Sequence, residues 1–315
     1  MTLNSFGINV ITYHYVRDSM ANKYPGLKYL EKKDFENQIS FFKKKYDFLT
    51  IENCLDIVNG KHKPKKESVL LTFDDGFIDH YETVFPILLK NKIQGIFFPP
   101  VEAVKENKVL DINKIQILLS EKNNISELEN DISFFVKEGQ ERYELNSLDS
   151  YKSIYYKPRR FDDAQVGFIK NMLQKALPEK VRKGFLSNLF KKYVTHDELS
   201  LAKEFYMNEL QLREMIDSGM FVGSHCYNHV WLDTLKADLQ ERQITLSLNF
   251  LREICAESVN WVMCYPHGAY NKTTIRLLEK YNCSLAFTTH NDIWHPNQYQ
   301  RLEIPRIDTN SVLTQ

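Results

Sequence analysis

The sequence predicts an α/β fold in which parallel strands alternate with helices, interrupted once by a long helical insertion. Three observations predict it. Short apolar segments recur, and several run directly into a polar cluster. Stretches with helical periodicity separate them. Between the third and fourth such segments, Val104–Ser200 is rich in charge and poor in strand signal. The expected organisation is a barrel-type unit from 1–103 and 201–315, with a helical insertion over 104–200.

Ile8–Tyr13 (I-N-V-I-T-Y) is rich in β-branched residues and reads as the first strand, delivering His14 and Tyr15 at its end. Phe35, Ile39 and Phe42 recur at helical spacing, and a second short helix spans Glu52–Val58. Ser68–Gly76 (S-V-L-L-T-F-D-D-G) has no polar face until Asp74 and Asp75, as a buried parallel strand should. Two adjacent acids at the end of such a strand repel and lose hydration, so a metal or a proton-transfer role would explain them. Capping of a helix that begins near Phe77 is the plainer alternative.

His80–Lys92 follows as an amphipathic helix carrying Val84, Ile87 and Leu88, with His80 expected on its surface. Gln94–Phe98 is the next strand. In the insertion, helices are expected to start near Asp111, Ile125, Asp162 and Glu179, and positive charge clusters at Lys157–Arg160 and Lys180–Lys192. So long a connection without structure is improbable. It reads either as a solvated elaboration or as a lid or platform for substrate. The alternation resumes with helix Glu209–Ser218, strand Met220–Gly223, helix Leu235–Ile254, strand Trp261–Tyr265, helix Thr274–Tyr281 and strand Ser284–Thr288.

Composition narrows the function. Lysines plus arginines number 41 and acids 41, so no net field draws the protein to nucleic acid or an anionic membrane. No apolar run approaches the ~20 residues of a membrane span, and the N-terminus has no leader pattern. Five cysteines, odd in number and without a C-x-x-C pair, are expected to be free thiols, so the protein is expected in the cytoplasm. The oligomeric state has no signature.

Every polar cluster lies at the C-terminal end of an expected strand: His14, Asp74 and Asp75, His225, and Tyr265–Gly268. In a barrel of parallel strands those ends share one face, where barrel enzymes keep their chemistry. His225 and His229 are four apart, and on a helical turn both imidazoles would lie on one side. With a carboxylate from another strand end they make an Asp-plus-two-His set. Three protein ligands leave room for water and substrate, the mark of a catalytic metal site.

Thr72–Gly76 (T-F-D-D-G), Ser224–His229 (S-H-C-Y-N-H) and Tyr265–Tyr270 (Y-P-H-G-A-Y) resemble the motifs of the polysaccharide deacetylases, the NodB-homology group also called carbohydrate esterase family 4. The resemblance spans about residues 1–100 and 205–310 and skips the insertion. It implies a distorted (β/α)7 barrel and a divalent metal, zinc first with nickel or cobalt as alternatives. It also implies Asp74 as catalytic base and Asp75, His225 and His229 as ligands.

The pattern departs in places. Cys226 stands where Ser or Thr is usual, Cys264 stands where an arginine contacts the base, and His267 replaces a tyrosine. No late L-x-H motif supplies an acid. Tyr13-His14 instead resembles the early Y-H of the biofilm poly-N-acetylglucosamine deacetylase branch, with His14 as the acid. Arg306 could replace the missing arginine. His267, Tyr265 and Arg306 complete the expected oxyanion and substrate set.

The activity implied is removal of an N-acetyl group from a nucleotide- or lipid-linked sugar in surface-glycan biosynthesis. Deformylation or O-deacetylation would use the same residues. A catalytically inactive glycan-binding barrel is the rival from another class, kept open by Cys226, Cys264 and His267.

Overall fold

Strand β1, Ile8–Tyr13, is buried along its whole length, as its β-branched, apolar sequence requires. It lies parallel to β2, Ser68–Asp74, in register from Ile8 opposite Ser68 to Tyr13 opposite Phe73. The computed structural model describes residues 7–312 except 20–22, 25, 65, 121–123, 159–161 and 255–259. Cys255, Arg159, Arg160 and the first six residues, all used in the sequence reading, lie outside the described residues.

Five further short strands continue the sheet: β3, Gly95–Phe98; β4, Phe221–Val222; β5, Val262–Cys264; β6, Leu285–Phe287; and β7, Ile307–Asp308. β3 pairs with β2 and β4 with β3, all parallel. A parallel bridge between Ser224 and Met263 joins β4 to β5, and β5 pairs with β6. A second bridge, Phe287 to Ile304, leads to β7, which pairs with β1. The ring of seven parallel strands is thereby closed, with single bridges at two of its seams.

Alternation along the strands sorts the core into two layers. Val10, Leu70, Ile96, Val262 and Leu285 belong to one cluster with Trp294 and the helix Ile51–Val58. Ile11, Leu71, Phe97, Met263 and Ala286 pack with the helices, among them Phe35, Ile39 and Phe42 of Lys32–Lys45 and Ile244 and Leu248 of Ala237–Glu253. Thr12, Thr72 and Asp74 share the parity of the first set, so the barrel interior turns polar toward the strand ends.

Helix boundaries follow local chemistry. Asn208 and Asn271 each form a reciprocal capping box, with Gln211 and Thr274, and start the helices Glu209–Asp217 and Lys272–Lys280. The second helix therefore begins earlier than expected. The segment after the paired acids opens as a π-helix, His80–Val84, before the α-helix Phe85–Asn91.

The chain divides into two compact units: Met1–Asp18 with Tyr29–Lys108 and Ala202–Gln315, and Ser19–Lys28 with Val109–Leu201. The second is built of helices Asp111–Ser120, Ile125–Gly139, Leu148–Tyr155, Ala164–Asn171 and Glu179–Tyr193. Leu128, Ile132, Phe168, Met172 and Leu186 are among its buried residues. Leu148–Tyr155 was not anticipated: its start is set by Ser147, whose hydroxyl accepts from the Ser150 N–H. Among the described residues no helix is long and apolar enough to cross a membrane.

Candidate active site

The paired acids at the end of β2 are separated by backbone. Asp75 (φ 73°) and Gly76 (φ 67°) both take left-handed conformations, so the chain bends sharply just after Asp74. A side chain at Gly76 would meet Pro99 at 2.7 Å, so glycine is required there on both counts. The Asp75 N–H donates to Phe98 at 3.1 Å and ties the bend to β3. The two carboxylates consequently have different partners. Neither caps the following helix.

Asp74 is gripped by Arg306, whose two terminal nitrogens donate to its two oxygens at 2.8 and 2.7 Å. Arg306 is itself buried and donates further to the Thr288 carbonyl and the Thr72 hydroxyl. Burial raises the Asp74 carboxyl, but the Arg306 charge and hydrogen bonds outweigh it and hold the group well below the usual carboxylate range. The Cys264 thiol approaches Oδ2 at 3.5 Å. Burial pushes that thiol up, so it stays protonated and acts as a weak donor. His14, half exposed, places Nε2 at 3.9 Å from Oδ2.

Asp75 faces the histidines. Its Oδ1 lies 3.2 Å from His229 Nε2 and 3.5 Å from His225 Nε2, yet it makes no aligned hydrogen bond. A buried carboxylate oxygen ringed by ring nitrogens and left unsatisfied is the donor set of a cation site. His225 Nδ1 donates to the Cys264 carbonyl at 2.8 Å, which orients the ring with Nε2 toward Asp75 and, in the neutral ring, leaves Nε2 as the lone pair a cation would take. The ligand atoms of Asp75, His225 and His229 lie within 4.8 Å of one another, so these residues fit a divalent ion.

The two histidines converge without a helix. Ser224–His229 is a turn in which Cys226 (φ 61°) and His229 (φ 54°) are left-handed, which corrects the expected helical turn. Gln243 holds the turn from the side: its Oε1 accepts from the N–H groups of Tyr227 and Asn228 at 3.1 and 3.0 Å, and its Nε2 donates to Asn228 at 2.5 Å. The Ser224 hydroxyl donates to Ser247 on the same helix.

His267, also left-handed (φ 57°), stands edge-on to His229 with ring centroids 4.5 Å apart and lies flat against Trp231 at 4.2 Å. Burial, followed by the neighbouring His229, lowers its pKa to about 2, so the ring is neutral.

Two expected substrate contacts need correction. Tyr265 is 1% exposed, its hydroxyl donates to the Leu302 carbonyl and its ring stacks on Tyr270, so its side chain belongs to the core. Arg306 has no face for substrate either, but its grip on Asp74 puts it in the place of the missing arginine, as expected from the sequence. Trp294 is fully buried, whereas Trp231 is half buried beside His267. A third correction concerns His80, which is fully buried and bonds the His14 carbonyl through Nε2 at 2.7 Å. Its spacing, four before Val84 and eight before Leu88, already placed it on the buried stripe of its helix.

With this geometry in place, comparison with known proteins identifies the family. The polysaccharide deacetylase family model matches residues 61–131 and 185–286, together more than half of the chain. YxkH of Bacillus subtilis (strain 168), whose name places it among polysaccharide deacetylases, is 28% identical over 90 residues, 28% of this chain and 30% of that protein. The match thus spans less than a third of that relative's length.

Similar solved structures include the Streptococcus pyogenes deacetylase PplD in complex with acetate, at 18% identity and a TM-score of 0.56, covering 97% of this chain and 93% of that one. IcaB from Ammonifex degensii gives 19% and 0.56 over 96% and 92%. A de-N-acetylase from Aggregatibacter actinomycetemcomitans gives 16% and 0.55 over 98% and 97%. At those identities the likeness shows the fold alone. The ordered motifs, the closed ring of seven strands and the family match agree: the chain belongs to the polysaccharide deacetylase family.

Proposed function

We propose that this protein is a metal-dependent hydrolase that removes the N-acetyl group from an N-acetylated sugar. One observation carries the reading: the unsatisfied Asp75–His225–His229 cluster lies beside a separately held carboxylate, Asp74, which His14 faces at 3.9 Å. Asp75, His225 and His229 would hold the ion, with zinc the first choice and nickel or cobalt alternatives. A divalent ion there supplies Lewis acidity toward water and the acyl oxygen.

The remaining work falls to the chain. Asp74 accepts the proton of the attacking water as the carbonyl carbon gains its C–O bond. Arg306 lowers its basicity but keeps it ionised and fixed in orientation, a trade of driving force for geometry. The backbone N–H of His267 is the proposed donor to the oxyanion. His14 gives a proton to the nitrogen as the C–N bond breaks, so that acetate and a free amine leave.

We further propose a cytoplasmic, carrier-linked substrate, nucleotide- or lipid-linked, in the synthesis of a surface glycan. The four cysteines among the described residues, Cys54, Cys226, Cys264 and Cys283, are all free and buried, which suits a reducing compartment. The test is release of acetate and free amine from UDP-N-acetylglucosamine, a polyprenyl-diphosphate-linked N-acetylglucosamine and an N-acetylglucosamine tetramer, with N-formyl and O-acetyl analogues alongside. Turnover of a carrier-linked N-acetyl sugar above the tetramer supports the reading. Preference for the tetramer overturns the carrier, and preference for an analogue overturns the reaction. No turnover of any of these favours the inactive barrel.

A further inference from the structure

The segment that carries His14 is held by the helix start that follows Asp74, and we propose that His80 is a positioning residue that sets His14 for proton donation. This rests on the assignment of His14 as the acid. The His14 side chain is half exposed, so packing alone does not fix it. Its backbone is fixed instead. His80 Nε2 donates to the His14 carbonyl at 2.7 Å. Tyr15 stacks on Phe77 with ring centroids 4.0 Å apart. Arg17 Nε donates to Asp79 at 2.6 Å. Phe77, Asp79 and His80 thus reach three of the four residues from His14 to Arg17. They sit three, five and six positions beyond Asp74, so one stretch of chain sets both the base and the segment bearing the acid.

His80 is an odd residue for its surroundings unless that bond matters. Its ring is fully buried among Phe73, Phe77 and Phe97, with centroids 5.6–5.8 Å away. An apolar side chain would fill such a pocket without penalty. Nδ1 has no hydrogen-bond partner, a cost the imidazole bears to deliver Nε2–H to one carbonyl. Donation to a carbonyl requires the proton on Nε2, which leaves Nδ1 bare. Burial, the largest influence, lowers its pKa to about 4, so the ring stays in this neutral form at working pH.

The test compares His80→Gln, His80→Asn and His80→Leu with His14→Ala, on whichever of the N-acetylated sugars named above is turned over best and on 4-nitrophenyl acetate. The amide nitrogen of glutamine reaches the place of Nε2; that of asparagine falls short. The nitrophenolate leaves without needing a proton, so the ester does not call on the acid. We expect His80→Asn and His80→Leu to lose about tenfold or more in kcat on the amide with KM and metal content kept, and to lose much less on the ester. His80→Gln should restore amide turnover to within about threefold of the parent.

In the His14→Ala background, His80→Asn should add no further loss on the amide, since it acts through His14. Additive losses in that background, or equal losses on amide and ester, would overturn the positioning role. Equal activities of the Gln and Asn variants would do the same, and that comparison stands even if the Leu variant does not fold. Full amide activity of His14→Ala is a separate outcome: it removes the acid assignment and the inference with it.

Discussion

Asp74 carries two opposed demands, since a base needs affinity for a proton and a buried carboxylate needs a partner. Arg306 satisfies the second at the expense of the first. Asp74→Asn should leave the three ligand residues untouched, so metal content stays while kcat falls by roughly 10²-fold or more. Metal analysis beside acetate-release kinetics checks this, and loss of metal would mean the adjacent aspartates have been assigned the wrong way round.

Arg306→Gln leaves Asp74 buried without its cation and should destabilise by about 3–5 kcal/mol in urea unfolding. Adding Asp74→Asn should recover part of that loss, because the uncompensated charge is gone. At this scale the sequence was informative where chemistry and strand ends coincide, as at Asp74, Asp75, His225 and His229. It misled where residue type argued against position. His80 is polar but sits on an apolar stripe, and Tyr265 is polar-tipped at a strand end but spends its hydroxyl on Leu302.

The elements that bear the site are short and rely on neighbours for their shape. β4 is only Phe221–Val222, and the turn that follows contains two left-handed non-glycine residues, Cys226 and His229. Gln243 holds that turn through three hydrogen bonds. Gln243→Leu should therefore keep the fold but weaken metal affinity by roughly 10–100-fold, read by competition with a chelating dye. Unchanged affinity would show that the turn holds its own geometry.

Six strands, Ile8–Tyr13, Ser68–Asp74, Gly95–Phe98, Phe221–Val222, Val262–Cys264 and Leu285–Phe287, were legible because short apolar runs between helical stretches announce them. β7, Ile307–Asp308, was not, because two residues after a proline give no period to read. The left-handed bends at His229 and His267 were equally hidden. Nothing in an isolated histidine says that it will adopt positive φ; the surrounding structure imposes it.

For the whole molecule, every candidate site residue lies in the unit formed by Met1–Asp18, Tyr29–Lys108 and Ala202–Gln315. The alternation of strand and helix breaks off in the sequence near Val104, and Ser19–Lys28, grouped with the helical unit, carries no signal of that kind. Thiol titration of the denatured, unreduced protein should count all five cysteines; two or more blocked as disulfides would contradict the proposed reducing compartment.

The central claim, that catalysis depends on a metal held by Asp75, His225 and His229, is tested most directly by chelation and restoration. Acetate release from the best N-acetylated substrate is measured on protein as purified, after removal of metal, and after return of one equivalent of zinc, nickel or cobalt. The account predicts activity that disappears with the metal and returns at one equivalent, and a His229→Ala protein that neither retains the ion nor recovers. Full acetate release by protein verified to be metal-free would contradict it.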